Sequence, residues 1–236
     1  MSTSAKITAT PVSTLVKTDR CDAALLARFG ALIEPTARPV PSPTLDTMRE
    51  LHTARSALVK DRTAALNRQK AIRSPLLRRQ NAQRLRPIAA QVATIAAELV
   101  ALCAADPDLK ERLAILTSIP GLGQISALAL LVEMPELGSL GHSQAASLAG
   151  LAPIARDSGQ FRGRRSIQGG RTGLRQALYM PALVAARFNP DLKAKYQTLI
   201  QAGKPPKLAI TAVMRKLLLL ANALLRDRRA WSPKLA

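Results

Sequence analysis

Between Thr44 and Cys103 the chain runs as two long Ala-, Leu- and Arg-rich stretches, Thr44 to Ile72 and Leu76 to Cys103, separated at Ser74-Pro75. These residues favour helix, and proline is best tolerated in a helix's first turn, where no N–H is needed from it, so Ser74-Pro75 reads as a boundary. The pair of stretches predicts an antiparallel helical arm. In the first, Leu45, Met48, Leu51, Leu58 and Leu66 follow an apolar stripe, while Arg49, Arg55, Lys60, Arg62 and Arg68 occupy other faces. Those basic faces suit solvent and a polyanion equally well.

Around the arm the texture changes. Met1 to Thr14 is small, polar and without usable period, and reads as a loose tail. A short helix is expected from Lys17 to Gly30, with Thr18 or Asp19 as N-cap and Gly30 as its stop. Glu34 to Pro43 holds Pro35, Pro39, Pro41 and Pro43 and should run as an extended connector. Past Asp106-Pro107-Asp108, short helices are punctuated by Gly and Pro. The organisation expected is therefore a tail at 1–14, a segment at 15–43, the arm at 44–106 and a compact all-helical domain at 107–230. The fold class is mainly α.

Within that last domain, Leu113 to Glu133 has the pattern of a helix-hairpin-helix. An apolar helix ends at Ile119, Pro120-Gly-Leu-Gly123 turns, and a second helix starts with its N–H groups free. Those groups and the helix dipole can hold a phosphate through Gly121 and Gly123 without reading bases. The same turn also serves simply to join packed helices. His142 to Gly150 should be another short helix, followed by helices at Thr172 to Phe188, Pro190 to Ala202 and Pro205 to Arg226. Leu208, Val213, Leu217, Leu218, Leu220, Leu224 and Leu225 should supply the core. His52 and His142 stand alone and read as surface or capping residues.

Charge bounds the partner. Thirty-five Lys and Arg against 15 Asp and Glu leave a formal net charge of +20 on 236 residues, which points to nucleic acid held by its phosphates. Aromatics at 3% argue against base-stacking platforms and against a membrane-surface helix. The apolar runs Ile125 to Val132 and Leu217 to Leu225, the latter interrupted by Asn222, are too short to span a bilayer. With no signal-peptide core either, a cytoplasmic protein is expected. Cys21 and Cys103 lie far apart and form no metal-ligand pattern.

The chemistry concentrates in Ala155 to Arg171, where Ser158 precedes Gly159 in a field of arginines: Arg156, Arg162, Arg164, Arg165 and Arg171, with Arg175 just beyond. Guanidinium forks bind phosphate oxygens, and glycines let backbone approach a ligand. Ser158 is either a nucleophile aimed at a phosphate or a turn residue in an Arg-rich binding loop. At the other end, Asp19 and Asp22 are spaced i, i+3, so both carboxylates share one side of a first turn. That placement fits metal ligation and ordinary helix capping alike.

Several blocks in order resemble a known family: Ile119-Pro-Gly-Leu-Gly, Gly150-Leu-Ala-Pro, Asp157-Ser-Gly, Arg162-Gly-Arg-Arg, Gly169-Gly-Arg, Leu174-Arg-Gln-Ala-Leu-Tyr179, and Gly203-Lys-Pro-Pro-Lys207 through Met214-Arg-Lys-Leu-Leu218. Together they cover about half the chain and resemble the C-terminal domain of insertion-sequence transposases of the 110/1111 (116/110/902) group. Lys17-Thr-Asp-Arg-Cys-Asp-Ala23 is similar to the end of that family's N-terminal, RuvC-like nuclease domain. The resemblance implies a DNA recombinase acting as a homo-oligomer, with Ser158 as nucleophile, Mg2+ held by four acids, and a structured guide RNA from the element. Asp19 and Asp22 would be the last two of those acids. Sixteen residues before Lys17 leave no room for the first two acids or the sheet that bears them. The expectation is therefore a truncated transposase that binds nucleic acid and does not exchange strands unaided, the alternative being an inactive nucleic-acid-binding remnant.

Overall fold

The computed structural model describes residues 19–34, 42–155, 157–159, 161–163 and 165–233. The tail at 1–14, Thr18, the prolines at 35, 39 and 41, Arg156 and Arg164 fall outside these. The chain divides into two compact units, 1–41 and 42–236.

In the first unit, α1 spans Asp19–Ile33. Gly30 does not stop it: the helix continues three residues further, because no left-handed residue intervenes before Glu34, whose φ is +43°.

In the second, α2 (Pro43–Ala71) and α3 (Pro75–Ala105) pack as the expected antiparallel arm. Pro43 is the first residue of α2 rather than the last of the connector, since a first-turn position needs no N–H from it. The same device recurs. Ser42-Pro43, Ser74-Pro75, Asp106-Pro107 and Asn189-Pro190 each open a helix, and Ser42, Asp106 and Asn189 accept from the N–H three residues on. Asn81 is the one polar side chain buried within the arm among the described residues, and it donates to the Ala65 carbonyl at 3.0 Å.

The arm's root is built into the main core. Met48, Leu99 and Cys103 join a cluster formed by α4 (Pro107–Thr117), α5 (Gln124–Glu133), α7 (Thr172–Phe188), α8 (Pro190–Gln201) and α9 (Pro206–Arg226). The short α6 (His142–Leu148) lies against α9. The centre is α9, whose Val213, Leu217, Leu218 and Ala221 are fully buried. Leu208, expected in the core, is exposed. It lies nine residues before Leu217, which is half a turn away at about 100° per residue. Both α3 and α9 carry an apolar window long enough to cross a bilayer, which the uninterrupted apolar runs understated. In α9 that window faces the core.

Asn222 interrupts the leucine run for a reason. Fully buried, it accepts from the Gly138 N–H at 2.8 Å and donates to the Leu140 carbonyl at 2.8 Å, tying the α5–α6 connection to α9. Asn222→Ala would strand both backbone groups, and a loss of about 3 kcal/mol is expected in chemical denaturation.

The C-terminal region is not all-helical. Between α6 and α7 the chain forms two short antiparallel pairs, β1 (Pro153–Ile154) with β4 (Ser166–Ile167), and β2 (Asp157–Ser158) with β3 (Phe161–Arg162). Gly, Arg and Ser dominate this stretch. They supply no apolar face at helical spacing, and a left-handed glycine lets the strand double back.

Candidate functional site

The two strand pairs form one ribbon that runs out from α6 and returns to α7. Ser158 pairs with Phe161, and Gly159 after it turns at φ +56° with nothing within 4 Å of its missing Cβ. Two residues separate the paired positions on the outgoing strand, 154 and 157, whereas three separate 162 and 166 on the return. Ser158 is exposed at the tip, beside the turn.

The base of the ribbon is locked by close backbone packing. Gly150 (φ +62°) and Gly170 (φ +63°) lie back to back, where a Cβ on either would strike the other strand's backbone. The Arg171 N–H donates to the Leu148 carbonyl at 2.8 Å. Arg171 also clamps the root through its side chain, donating to the Glu133 carbonyl and to the Glu136 carboxylate, while Arg175 donates to the Gly169 carbonyl. Two arginines expected to meet phosphate are thus engaged in holding the ribbon in place. Arg165 is exposed on the return strand, and Arg162 lies on β3 opposite Asp157.

The Pro120-Gly-Leu-Gly123 turn joins α4 to α5, and its two glycines do different work. Gly121, at φ +102°, is crossed by α7 so closely that an added Cβ would lie 2.6 Å from the Ala185 nitrogen. Gly123 is exposed, has open space where a Cβ would be, and precedes the first turn of α5 without a side-chain cap. Beside it runs a shallow groove lined by Val100, Ala104, Lys110, Thr117, Gly123 and Gln124. Free N–H groups next to a lysine suit a phosphate.

Asp19 and Asp22 both fall in the first turn of α1, exposed and without an ion pair among the described residues. Among the described residues no three metal-ligating side chains come together. Farther along α1, Leu25, Leu26, Phe29, Leu32 and Ile33 are all exposed.

His52 is not the lone surface histidine that its sequence context suggests. It is mostly buried on α2, 3.6 Å from the Glu133 carboxylate at the end of α5, with Arg55 on its own helix nearby. Glu133 in turn fronts Gly173, where a Cβ would lie 2.8 Å from its oxygen. The arm, α5 and the start of α7 therefore meet at one acid. A single Glu closing an apolar helix is the only hint of this in the sequence. Burial, partly countered by Glu133 and reinforced by Arg55, holds the His52 pKa below its ordinary value of 6.5. The unfolded chain then binds the extra proton first, so stability falls as pH drops through and below 6.5. A thermal melt at pH 5.5 should lie below one at pH 7.5, and His52→Gln should flatten that difference.

The ribbon, its clamp and the α4–α5 turn lie within residues 113–197, which match the model of the transposase IS116/IS110/IS902 family. Two pilin gene-inverting proteins, from Moraxella bovis and Moraxella lacunata, are each 32% identical over 233 residues, covering 93% of this chain and 69% of the relative. The chain belongs to the IS116/IS110/IS902 transposase family. The 42 kDa protein of insertion element IS900 from Mycobacterium paratuberculosis is 34% identical over 125 residues, half of this chain and 31% of that protein. The alignment with the gene-inverting proteins also reaches beyond the domain that the family model matches, to cover most of the arm.

Proposed function

We propose that this transposase-family chain is a DNA recombinase whose nucleophile is Ser158. The observation that carries the reading is the exposure of Ser158 at the tip of an arginine-bearing ribbon whose base is rigidly clamped. A serine hydroxyl aimed at a phosphodiester needs an exposed, pre-positioned mount and cationic surroundings, and this ribbon provides both. In the step proposed, the Ser158 oxygen loses its proton and bonds to phosphorus, and one bridging P–O bond breaks. The proton ends on the leaving strand's hydroxyl. The phosphoserine ester keeps the energy of the broken bond, so a hydroxyl from another strand can reverse the step and join to it. Arg165, exposed on the return leg of the ribbon, would help to balance the added negative charge.

Asp19 and Asp22 fit a hard cation in part, as two exposed carboxylates one turn apart that can each give Mg2+ an oxygen, the remaining ligands coming from outside the described residues. Mg2+, where bound, supplies Lewis-acid chemistry of the kind phosphoryl transfer uses. Exchange between two duplexes breaks several strands, and each needs its own serine, which calls for a homo-oligomer. The resemblance to the 110/1111 group adds a structured RNA as guide. The absence of a third carboxylate beside Asp19 and Asp22 among the described residues favours one rival, a nucleic-acid-binding protein without catalysis.

A supercoiled plasmid carrying paired element ends, incubated with the chain, Mg2+ and the element's RNA, separates the two. Recombinant product supports the recombinase. Duplex binding without any product, when the reaction is also supplemented with a longer family member mutated at its serine, supports the rival.

A further inference from the structure

The charges of the helical arm are sharply segregated. Residues 60–86, the outer part of the hairpin, hold nine Lys and Arg, from Lys60 to Arg86, against Asp61 alone. All nine are exposed, and none pairs with a described carboxylate. The inner part differs: residues 42–59 carry Arg49 and Arg55 against Asp46 and Glu50, with Arg49 and Asp46 paired at 2.6 Å, and residues 87–106 carry no cation at all. A merely solvated arm would have no reason to keep its acids at the root, where i, i+3 and i, i+4 pairs are equally available along the whole length.

We propose that the outer end of the arm is a second nucleic-acid grip, one that holds duplex DNA by its phosphates without reading sequence. It is distinct from the ribbon and does not depend on Ser158 being a nucleophile. The occupant follows from chemistry. Nine uncompensated cations need a polyanion, and they repel a second copy of the same tip. Residues 42–106 contain no Phe, Tyr or Trp, and their one imidazole, His52, is mostly buried at the root, so unpaired bases find no stacking platform at the tip. The twelve helical residues from Lys60 to Ala71 extend about 18 Å, enough to lie along roughly five base pairs of backbone. Among duplexes, the DNA on which a transposase acts is the one assigned.

The test uses the 236-residue chain, a fluorescent mixed-sequence DNA duplex of about 30 base pairs, and an RNA duplex of the same sequence. The quadruple variant Arg62→Gln, Arg68→Gln, Arg78→Gln, Arg79→Gln should bind the DNA at least about tenfold more weakly near 100 mM salt. Its slope of log affinity against log salt should fall by up to about 3.6, given about 0.9 per phosphate contact. A matched set of exposed cations outside the arm, at Arg187 on α7, Lys193 and Lys195 on α8 and Lys216 on α9, should change the slope by no more than about 1. Should the quadruple variant melt early, Arg78→Gln with Arg79→Gln alone carries the test, with about half the slope change. An unchanged slope, an equal loss in the matched set, a loss confined to the RNA duplex, or dissociation of an oligomer with DNA affinity intact would each overturn the proposal. None of these outcomes depends on strand exchange, so failure here leaves the reading of Ser158 standing.

Discussion

Replacing Ser158 with alanine is expected to lower strand exchange by more than about 1,000-fold, because a nucleophile removed from a covalent mechanism has no substitute of comparable reactivity. Duplex affinity should stay within about twofold, since the hydroxyl is one uncharged group on a chain with 35 Lys and Arg. Stability should hold as well. Ser158 is exposed at the ribbon tip, and its backbone pairing with Phe161 does not involve the side chain. That combination of lost chemistry, intact binding and intact fold distinguishes a nucleophile from a turn residue in a binding loop. A turn residue replaced by alanine would leave exchange nearly unchanged. The measurement is a time course of recombinant plasmid beside an anisotropy titration of the same preparations.

Gly121→Ala should be the most damaging single-methyl change in the α4–α5 turn. Its φ of +102° lies where side chains are strained, and the new Cβ would press to within 2.6 Å of the backbone of α7 at Ala185, which cannot move aside as a flexible side chain can. Backbone strain of about 1–3 kcal/mol and overpacking of similar size together predict a loss of about 3–5 kcal/mol. For a chain of this size that is a drop of roughly 10 °C in melting temperature. Gly123→Ala, two residues on, meets open space and an ordinary φ of −76°, so it should cost less than about 1 kcal/mol. If phosphate is held at the start of α5, the Gly123 variant weakens binding while the Gly121 variant weakens folding. Equal melting temperatures for the two would contradict the packing described here.

The helices were legible where a strong local rule acted. Asp106-Pro107 and Asn189-Pro190 announce helix starts through a side-chain acceptor and a fixed φ, whereas the same device at Ser42-Pro43 was hidden among the connector's other prolines, and the leucine spacing of α9 places its buried face. What lay hidden depends on residues far apart in the chain. Gly150 and Gly170 explain each other only once the ribbon brings them into contact, and strands of two residues are too short to show alternation. For the same reason Arg171 and Arg175 read as phosphate binders beside Ser158, although Glu133, Glu136 and the Gly169 carbonyl claim their guanidinium groups. His52 looked solitary because its partner is 81 positions away on another helix. The position of Ser158 was the reverse case. A serine followed by glycine among arginines suggested a turn with phosphate nearby, and the structure puts that pair at the ribbon tip.

The most direct test of the account is to trap the covalent intermediate. The chain would be incubated with Mg2+, the element's RNA, a longer family member mutated at its serine, and end DNA carrying a nick that lets the leaving strand diffuse away. After nuclease and protease digestion, the peptide containing residue 158 would be sequenced by mass spectrometry. The account predicts a nucleotide linked through phosphate to the Ser158 oxygen, absent from the Ser158→Ala protein. A nucleotide on Ser166 or on any other hydroxyl, or an adduct that survives in Ser158→Ala, would contradict it.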